Sequence, residues 1–235
     1  MTLRVSSLTL VYLMFNEEQN IGPVLNDGVA WLEDHVDDWQ IVVVDDGSSD
    51  DSADVVRALA DTEPRIELVQ HGRNRGMGAG MRTGITSATK EHFVIFPADG
   101  QLEPIELEKI LPLLDGADIV TSVYPHRHST MIRLLMSRVF RGLLALAADI
   151  RFELEGLYVY PTAVAKELVP VIECETFFFS FELIQRGVER GLTIDQTVIN
   201  VKPRLSGESK VANAKRVQRI FDEVRAYRRR RASER

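Results

Sequence analysis

In "HFVIFPADGQLEP" (residues 92–104) an apolar run ends in a lone acid, Asp99, with Gln101 two positions on. An acid just past a strand end is well placed to hold a metal or to face a phosphate. Mg²⁺ commonly binds through one or two carboxylates plus substrate phosphates and keeps several waters. Asp99 and Gln101 are therefore candidate metal ligands, although Pro97 stands where a second carboxylate would help. The plainer alternative is a turn.

Three other stretches combine residue types that bind phosphate or sugar. "VVVDDGSSD" (42–50) sets Asp45 and Asp46 at a strand end, before a Gly turn and serines able to cap the next helix. These carboxylates could accept hydrogen bonds from base N–H groups and ribose hydroxyls, or simply belong to a capped β–α turn. "FNEEQNI" (15–21) would lie beside them, with Asn16 as a helix cap and Glu17 facing the same crevice. "NRGMGAGMRTGI" (74–85) is Gly-rich at a helix start, where free backbone N–H groups suit a pyrophosphate. Its spacing fits neither the dinucleotide fingerprint nor the P-loop, so a tight packing loop competes with that reading. Further on, "PRLSGESKVANA" (203–214) groups Arg204, Ser209 and Lys210 around a Gly, either to close over a phosphate or as a solvated connection.

The elements that must position these residues alternate. β-type runs at "LTLVYLMF", "QIVVVDD", "RIELVQ", "HFVIFP" and "ADIVTSVY" are separated by segments with helical spacing, such as Ile21, Val24, Leu25, Leu32 and Val36. That rhythm predicts an α/β fold, a mostly parallel sheet flanked by helices on both faces. The loops after the strands should then open on one edge, where ligands gather. The second half adds strands at "LEGLYVYP" and "LTIDQTVINVKP", with a helix around "SFELIQRGVERG" between them. Residues 131–148 read as a long helix whose apolar face covers about half its circumference, wider than a typical core stripe. That face suits burial, a second copy of the chain in a homo-oligomer, or a lipid. From about Ala212 a basic amphipathic helix carries a stripe of Val217, Ile220, Phe221, Val224 and Tyr227.

Charge divides the chain. The total is −7 over 235 residues, yet the stretch from Lys215 onward is strongly basic. An acidic body with a basic tail argues against nucleic-acid binding and leaves open a tail that touches anionic lipid. One cysteine, Cys174, excludes an intrachain disulfide and fits a reducing compartment. No apolar run reaches the length of a membrane span, and the N-terminus does not read as a secretory signal.

Taken in order, "FNEEQNI", "VVVDDGSSD", "NRGMGAG", "PADGQLEP" and "SGESK" resemble the inverting family 2 glycosyltransferases of the GT-A fold. Within them the likeness is to polyprenol-phosphate (dolichol-phosphate) mannosyl- and glucosyltransferases. It spans roughly residues 8–211, implying a GT-A-like domain over 1–211 and a basic helix or tail over 212–235. It implies a nucleotide-sugar donor bound by Phe15, Asn16, Glu17, Asp45, Asp46, Asn74, Gly76 and Asp99. It also implies a divalent cation, Mg²⁺ or Mn²⁺, at Asp99 and Gln101. A polyprenyl-phosphate acceptor would be held by Arg133, Arg204, Ser209 and Lys210, with Asp99, Arg133 and Arg204 closest to the chemistry. Arg127 is a weaker candidate, and His126 and His128 read as a solvated loop. A lipid phosphate is already anionic and needs cations rather than a general base, unlike a sugar hydroxyl. The implied location is cytoplasmic and peripheral to the membrane, through the surface itself or a membrane partner protein.

Departures from the family pattern bear on substrate more than on fold. Pro97 takes the place of the first acid of an Asp-x-Asp pair. "TSVY" (121–124) and "EGLY" (155–158) each lack an arginine, and Leu13 and Phe15 stand where a proline motif is usual. Two alternatives follow: the same fold and donor class acting on a soluble hydroxyl, or a catalytically silent nucleotide-sugar-binding scaffold.

Overall fold

The computed structural model describes residues 5–125, 142, 151–202 and 214–234. Seven strands form one sheet: β1 (Val5–Met14), β2 (Val36–Asp45), β3 (Ile66–Gln70), β4 (His92–Pro97), β5 (Ile119–Val123), β6 (Tyr158–Pro161) and β7 (Ile194–Val198). Their order is β3-β2-β1-β4-β6-β5-β7. β3, β2, β1 and β4 run parallel, as do β5 and β7, and β6 runs antiparallel to both β4 and β5. The expected strand segments all form, and the sheet is mostly parallel as the alternation predicts.

The helices are α1 (Ile21–His35), α2 (Ser52–Ala60), α3 (Met77–Ser87), a short α4 (Leu107–Ile110), α5 (Thr162–Leu168), α6 (Phe178–Glu189) and α7 (Ala214–Glu234). Successive strand side chains point to opposite faces, so each central strand feeds two cores. Leu10 and Tyr12 of β1, Ile41 and Val43 of β2, and Val94 and Phe96 of β4 pack with α1, α2 and α4. Val11, Val42, Val44, Phe93 and Ile95 pack instead with α3, α5, α6 and α7. Burial on both faces explains why β2 reads as an unbroken apolar run rather than an alternating one.

The stripe on α7 is used in part. Val224 and Tyr227 are buried, and the Tyr227 ring meets Phe178 edge-on at 5.6 Å. Ile220 packs at the margin of the same core. Among the described residues no helix is long and apolar enough to cross a membrane. Apart from Gly142, the expected 131–148 helix with Arg133 lies outside the described residues, as do Arg204, Ser209, Lys210, His126, Arg127, His128 and the Val217 side chain.

Candidate active site

Every strand except β6 points the same way, so the loops after β1, β2, β3 and β4 open on one edge. The order of connections reverses at β1: the chain first moves outward to β2 and β3, then crosses to β4. Such a switch point leaves a crevice beyond the strand ends. The N–H of Asp46 donates to Met14 O at 2.9 Å, and the N–H of Ala98 to Leu13 O at 3.2 Å. The turns bearing Asp46 and Asp99 thus flank the end of β1, about 10 Å apart by two inter-strand spacings.

The β1 and β2 turns are bonded to each other. Asn16 takes a left-handed φ of 56°, which asparagine tolerates better than most residues. Its N–H donates to Ser48 Oγ at 2.9 Å, and its Oδ1 accepts from Ser49 N at 2.9 Å. Glu17 N–H donates to Ser52 Oγ at 2.8 Å, while the Glu17 carboxylate accepts from Asn20 Nδ2 at 2.6 Å. Asn16, Ser48 and Ser49 are the helix caps that the sequence suggests. Instead the N-cap residues of α1 and α2 are Asn20 and Asp51, and neither makes a side-chain cap bond. The hydroxyls and the amide meet orphan backbone groups of the neighbouring loop, a partner that local sequence cannot reveal. Phe15 sits half-buried in the same turn.

Asp45 and Asp46 are surrounded by protein donors. Asp45 is buried and accepts from Ser48 N at 2.8 Å and Gln70 Nε2 at 3.0 Å. Asp46 accepts from Arg75 N and Gly76 N, both at 2.8 Å, and contacts His71 Nδ1 at 2.8 Å. The other His71 nitrogen reaches Thr83 Oγ1 at 2.9 Å. Gly47, at φ 78°, lies so close to this loop that a Cβ there would fall 2.5 Å from the carbonyl carbon of Arg73. The Gly-rich loop is therefore held against the β2 turn, with Asn74 exposed and Gly76 at the N-terminus of α3. His71 had no signal of its own, because its partners come from two other elements.

Asp99 follows β4, buried, and its Oδ1 accepts from Gln101 N at 3.1 Å. The turn is clasped to the end of β7. Lys202 N–H donates to Gln101 O at 2.9 Å, Gln101 Nε2 donates to Lys202 O at 3.3 Å, and Lys202 Nζ pairs with Glu103 at 2.6 Å. Glu106 accepts from Asn200 N at 2.8 Å and Asn200 Nδ2 at 3.2 Å. Burial works against the Glu106 charge, but hydrogen bonds from Lys109 and Asn200 outweigh it and hold the carboxyl below its ordinary range.

This donor set bears on a cation. Among the described residues no three His, Cys, Asp or Glu side chains converge as a metal cage. A single carboxylate at a strand end fits a hard cation shared with phosphate oxygens and water, and does not fit one held by protein alone.

"TSVY" and "EGLY" come together where β5 meets β6. Ser122 Oγ donates to Leu157 O at 2.7 Å, and the N–H groups of Glu155 and Gly156 both donate to Ser122 O at 3.1 Å.

Residues 9–187 match the model of Glycosyl transferase family 2. The chain belongs to this family. Dolichyl-phosphate beta-glucosyltransferase ALG5C of Trichomonas vaginalis is 26% identical, over 87% of this chain and 68% of that protein. Undecaprenyl-phosphate 4-deoxy-4-formamido-L-arabinose transferase of Edwardsiella ictaluri is 26% identical, over 94% of this chain and 67% of that one. The chain thus spans about two thirds of the length of these relatives. Glucosyl-3-phosphoglycerate synthase from Mycobacterium tuberculosis, solved with UDP, superposes with a TM-score of 0.71 at 18% identity, covering 95% of this chain and 80% of that one. That likeness is one of fold. This family 2 protein is a glycosyltransferase with a GT-A-like architecture.

Proposed function

We propose that this glycosyltransferase moves a sugar, with inversion, from a nucleotide-sugar donor to a polyprenyl phosphate. The observation that carries the reading is the buried carboxylate of Asp99 at the end of β4, on one side of the β1 switch point, with the Gly-rich loop clamped to Asp46 on the other. The relatives named above, both transferases of polyprenyl phosphates, support the acceptor class.

In this reading the donor lies across the ends of β1, β2 and β4. Phe15, Asn16 and Glu17 border the nucleoside, while Asp45 and Asp46 hold the turns that shape its pocket. Asn74 and Gly76 approach the pyrophosphate. Asp99, with Gln101 bracing its turn, would hold a divalent cation together with the pyrophosphate oxygens. Bound there, the cation would stabilise charge on the departing nucleoside diphosphate. A neighbouring fold solved with Mn²⁺ and UDP-glucose supports a divalent cation, and titrating Mg²⁺ against Mn²⁺ chooses between them. Inversion needs a nucleophile on the face opposite the leaving group, through an oxocarbenium-like state. An anionic phosphate meets that need without a general base, with Arg133, Arg204, Ser209 and Lys210 holding it.

A peripheral position at the cytoplasmic membrane face follows from the acceptor. On α7, Arg219, Arg230 and Arg231 turn toward body carboxylates, whereas Arg225, Arg228 and Arg229 are exposed to meet anionic headgroups.

The test supplies a labelled nucleotide sugar and a short-chain polyprenyl phosphate. The expected product is acid-labile and extracts into organic solvent. Arg204→Ala and Lys210→Ala should weaken acceptor use more than donor binding. A water-soluble glycoside as the sole product would overturn the acceptor, and an absence of transfer and donor hydrolysis across a nucleotide-sugar panel would overturn the donor.

A further inference from the structure

The Gly-rich loop is gripped from a second side. Gly78 N–H donates to Glu175 O at 2.9 Å. A Cβ on Gly78 would fall 2.5 Å from Glu175 Cα, so the two backbones touch. Glu175 lies in the short link before α6, and that link is fastened to α7. Glu223 of α7 accepts from Glu175 N at 3.1 Å, Thr176 N at 3.3 Å and Thr176 Oγ1 at 2.6 Å. Arg219, one turn earlier, pairs with both Glu175 and Glu223. Arg230 pairs with Glu173 at 2.9 Å and Glu182 at 3.1 Å, and the Cys174 thiol donates to Glu182 at 2.8 Å. Residues 173, 174, 175 and 176 are thus each tied to α7, directly or through Glu182.

We infer that Glu223 is a positioning residue for the donor: through Glu175 and Thr176 it sets the place of Gly76–Gly78. Asp46 holds this loop from the β2 side, and Glu223 holds it from the C-terminal helix. A loop that is to lie against a donor's pyrophosphate must be fixed before the ligand arrives, because ordering it on binding would cost affinity. Three donors on one carboxylate suit that task, since charge-assisted hydrogen bonds exceed neutral ones in strength.

The inference rests on the proposed donor site, and its test separates the two. Glu223→Ala, Glu223→Gln and Thr176→Val are compared with the wild type in donor binding, steady-state kinetics and amide hydrogen exchange. Glu223→Ala should raise the donor KM about 10-fold, the equivalent of losing one charge-assisted bond. Glu223→Gln, which keeps an acceptor oxygen, should raise it no more than about 3-fold. The kcat at saturating donor and the acceptor KM should hold, while exchange at residues 76–78 speeds up and that in β1 and β2 does not. A role confined to helix packing would lower the active fraction, and hence apparent kcat, without moving the donor KM. Unchanged donor KM and unchanged exchange at Gly78 in folded variants would overturn the inference. Loss of cooperative unfolding in all three variants would overturn it equally, in favour of general packing. If wild-type protein binds no nucleotide sugar, the proposed function fails, while exchange at Gly78 still decides whether Glu223 holds the loop.

Discussion

The turns on either side of β1 put their acids to different uses. After β2, both carboxylates of the strand-end motif are taken up in construction: Asp45 closes its turn and binds Gln70, and Asp46 binds His71 and two N–H groups of the Gly-rich loop. After β4, the bracing to β7 is carried by Gln101, Glu103 and Glu106, and Asp99 closes its own turn. Acids at equivalent strand ends therefore make different contacts: Asp46 fastens a neighbouring loop, and Asp99 accepts from its own turn. The lesson is that an acid's position in a motif does not fix its contacts.

Substitution at the two turns should separate these roles. Asp99→Asn keeps an oxygen for the Gln101 N–H, so thermal unfolding should shift little while sugar transfer falls by about 100-fold or more, the scale of losing a preorganised electrostatic group. Asp46→Asn should show the reverse emphasis. It leaves a backbone N–H of the Gly-rich loop without its charged partner and should cost roughly 1–2 kcal/mol in urea unfolding. Equal destabilisation by the two variants would erase the contrast.

The β4 clasp can be probed by acid. The Glu106 carboxyl lies below its ordinary range in the folded chain. A group with a lowered folded pKa contributes stability that is present above its unfolded value of about 4.3 and is lost as pH falls through the folded value. Wild-type urea midpoints should therefore fall more steeply below about pH 4.3 than those of Glu106→Gln, with parallel curves from pH 5 to 7. The smallest effect expected is at Cys174. Burial, followed by the neighbouring Glu182, raises its thiol well above the ordinary range. The native protein should resist iodoacetamide at neutral pH, whereas urea-unfolded chain should react fully.

The frame of the fold was legible because period-2 and period-3.6 patterns are local: the strands before Asp46, Gly76 and Asp99 all stand where their apolar runs place them. The antiparallel direction of β6 was not legible, since "LYVYP" carries no mark of its neighbours. The site was read as a set of loops on one edge, and they share that edge. What escaped were long-range partners. Ser48 and Ser52 serve the β1 loop rather than their own helix, His71 joins Asp46 to Thr83, and Glu223 reaches the link before α6. The basic stretch of α7 read as a charged tail, yet Arg219, Arg230 and Arg231 meet acids remote in sequence.

Asp99 as a cation ligand shared with the donor can be tested most directly by calorimetric titration of a nucleotide-sugar panel. The titration would use the wild type, Asp99→Asn and Pro97→Asp, each with and without Mg²⁺ or Mn²⁺. Wild-type binding should depend on the cation, and Asp99→Asn should lose that dependence together with most of its affinity. Pro97→Asp adds a second carboxylate at the last residue of β4, two residues before Asp99 in the turn that follows. It should lower the cation concentration needed for half-maximal binding. Donor binding that is equally strong in all three proteins, with or without cation, would contradict the account at its centre.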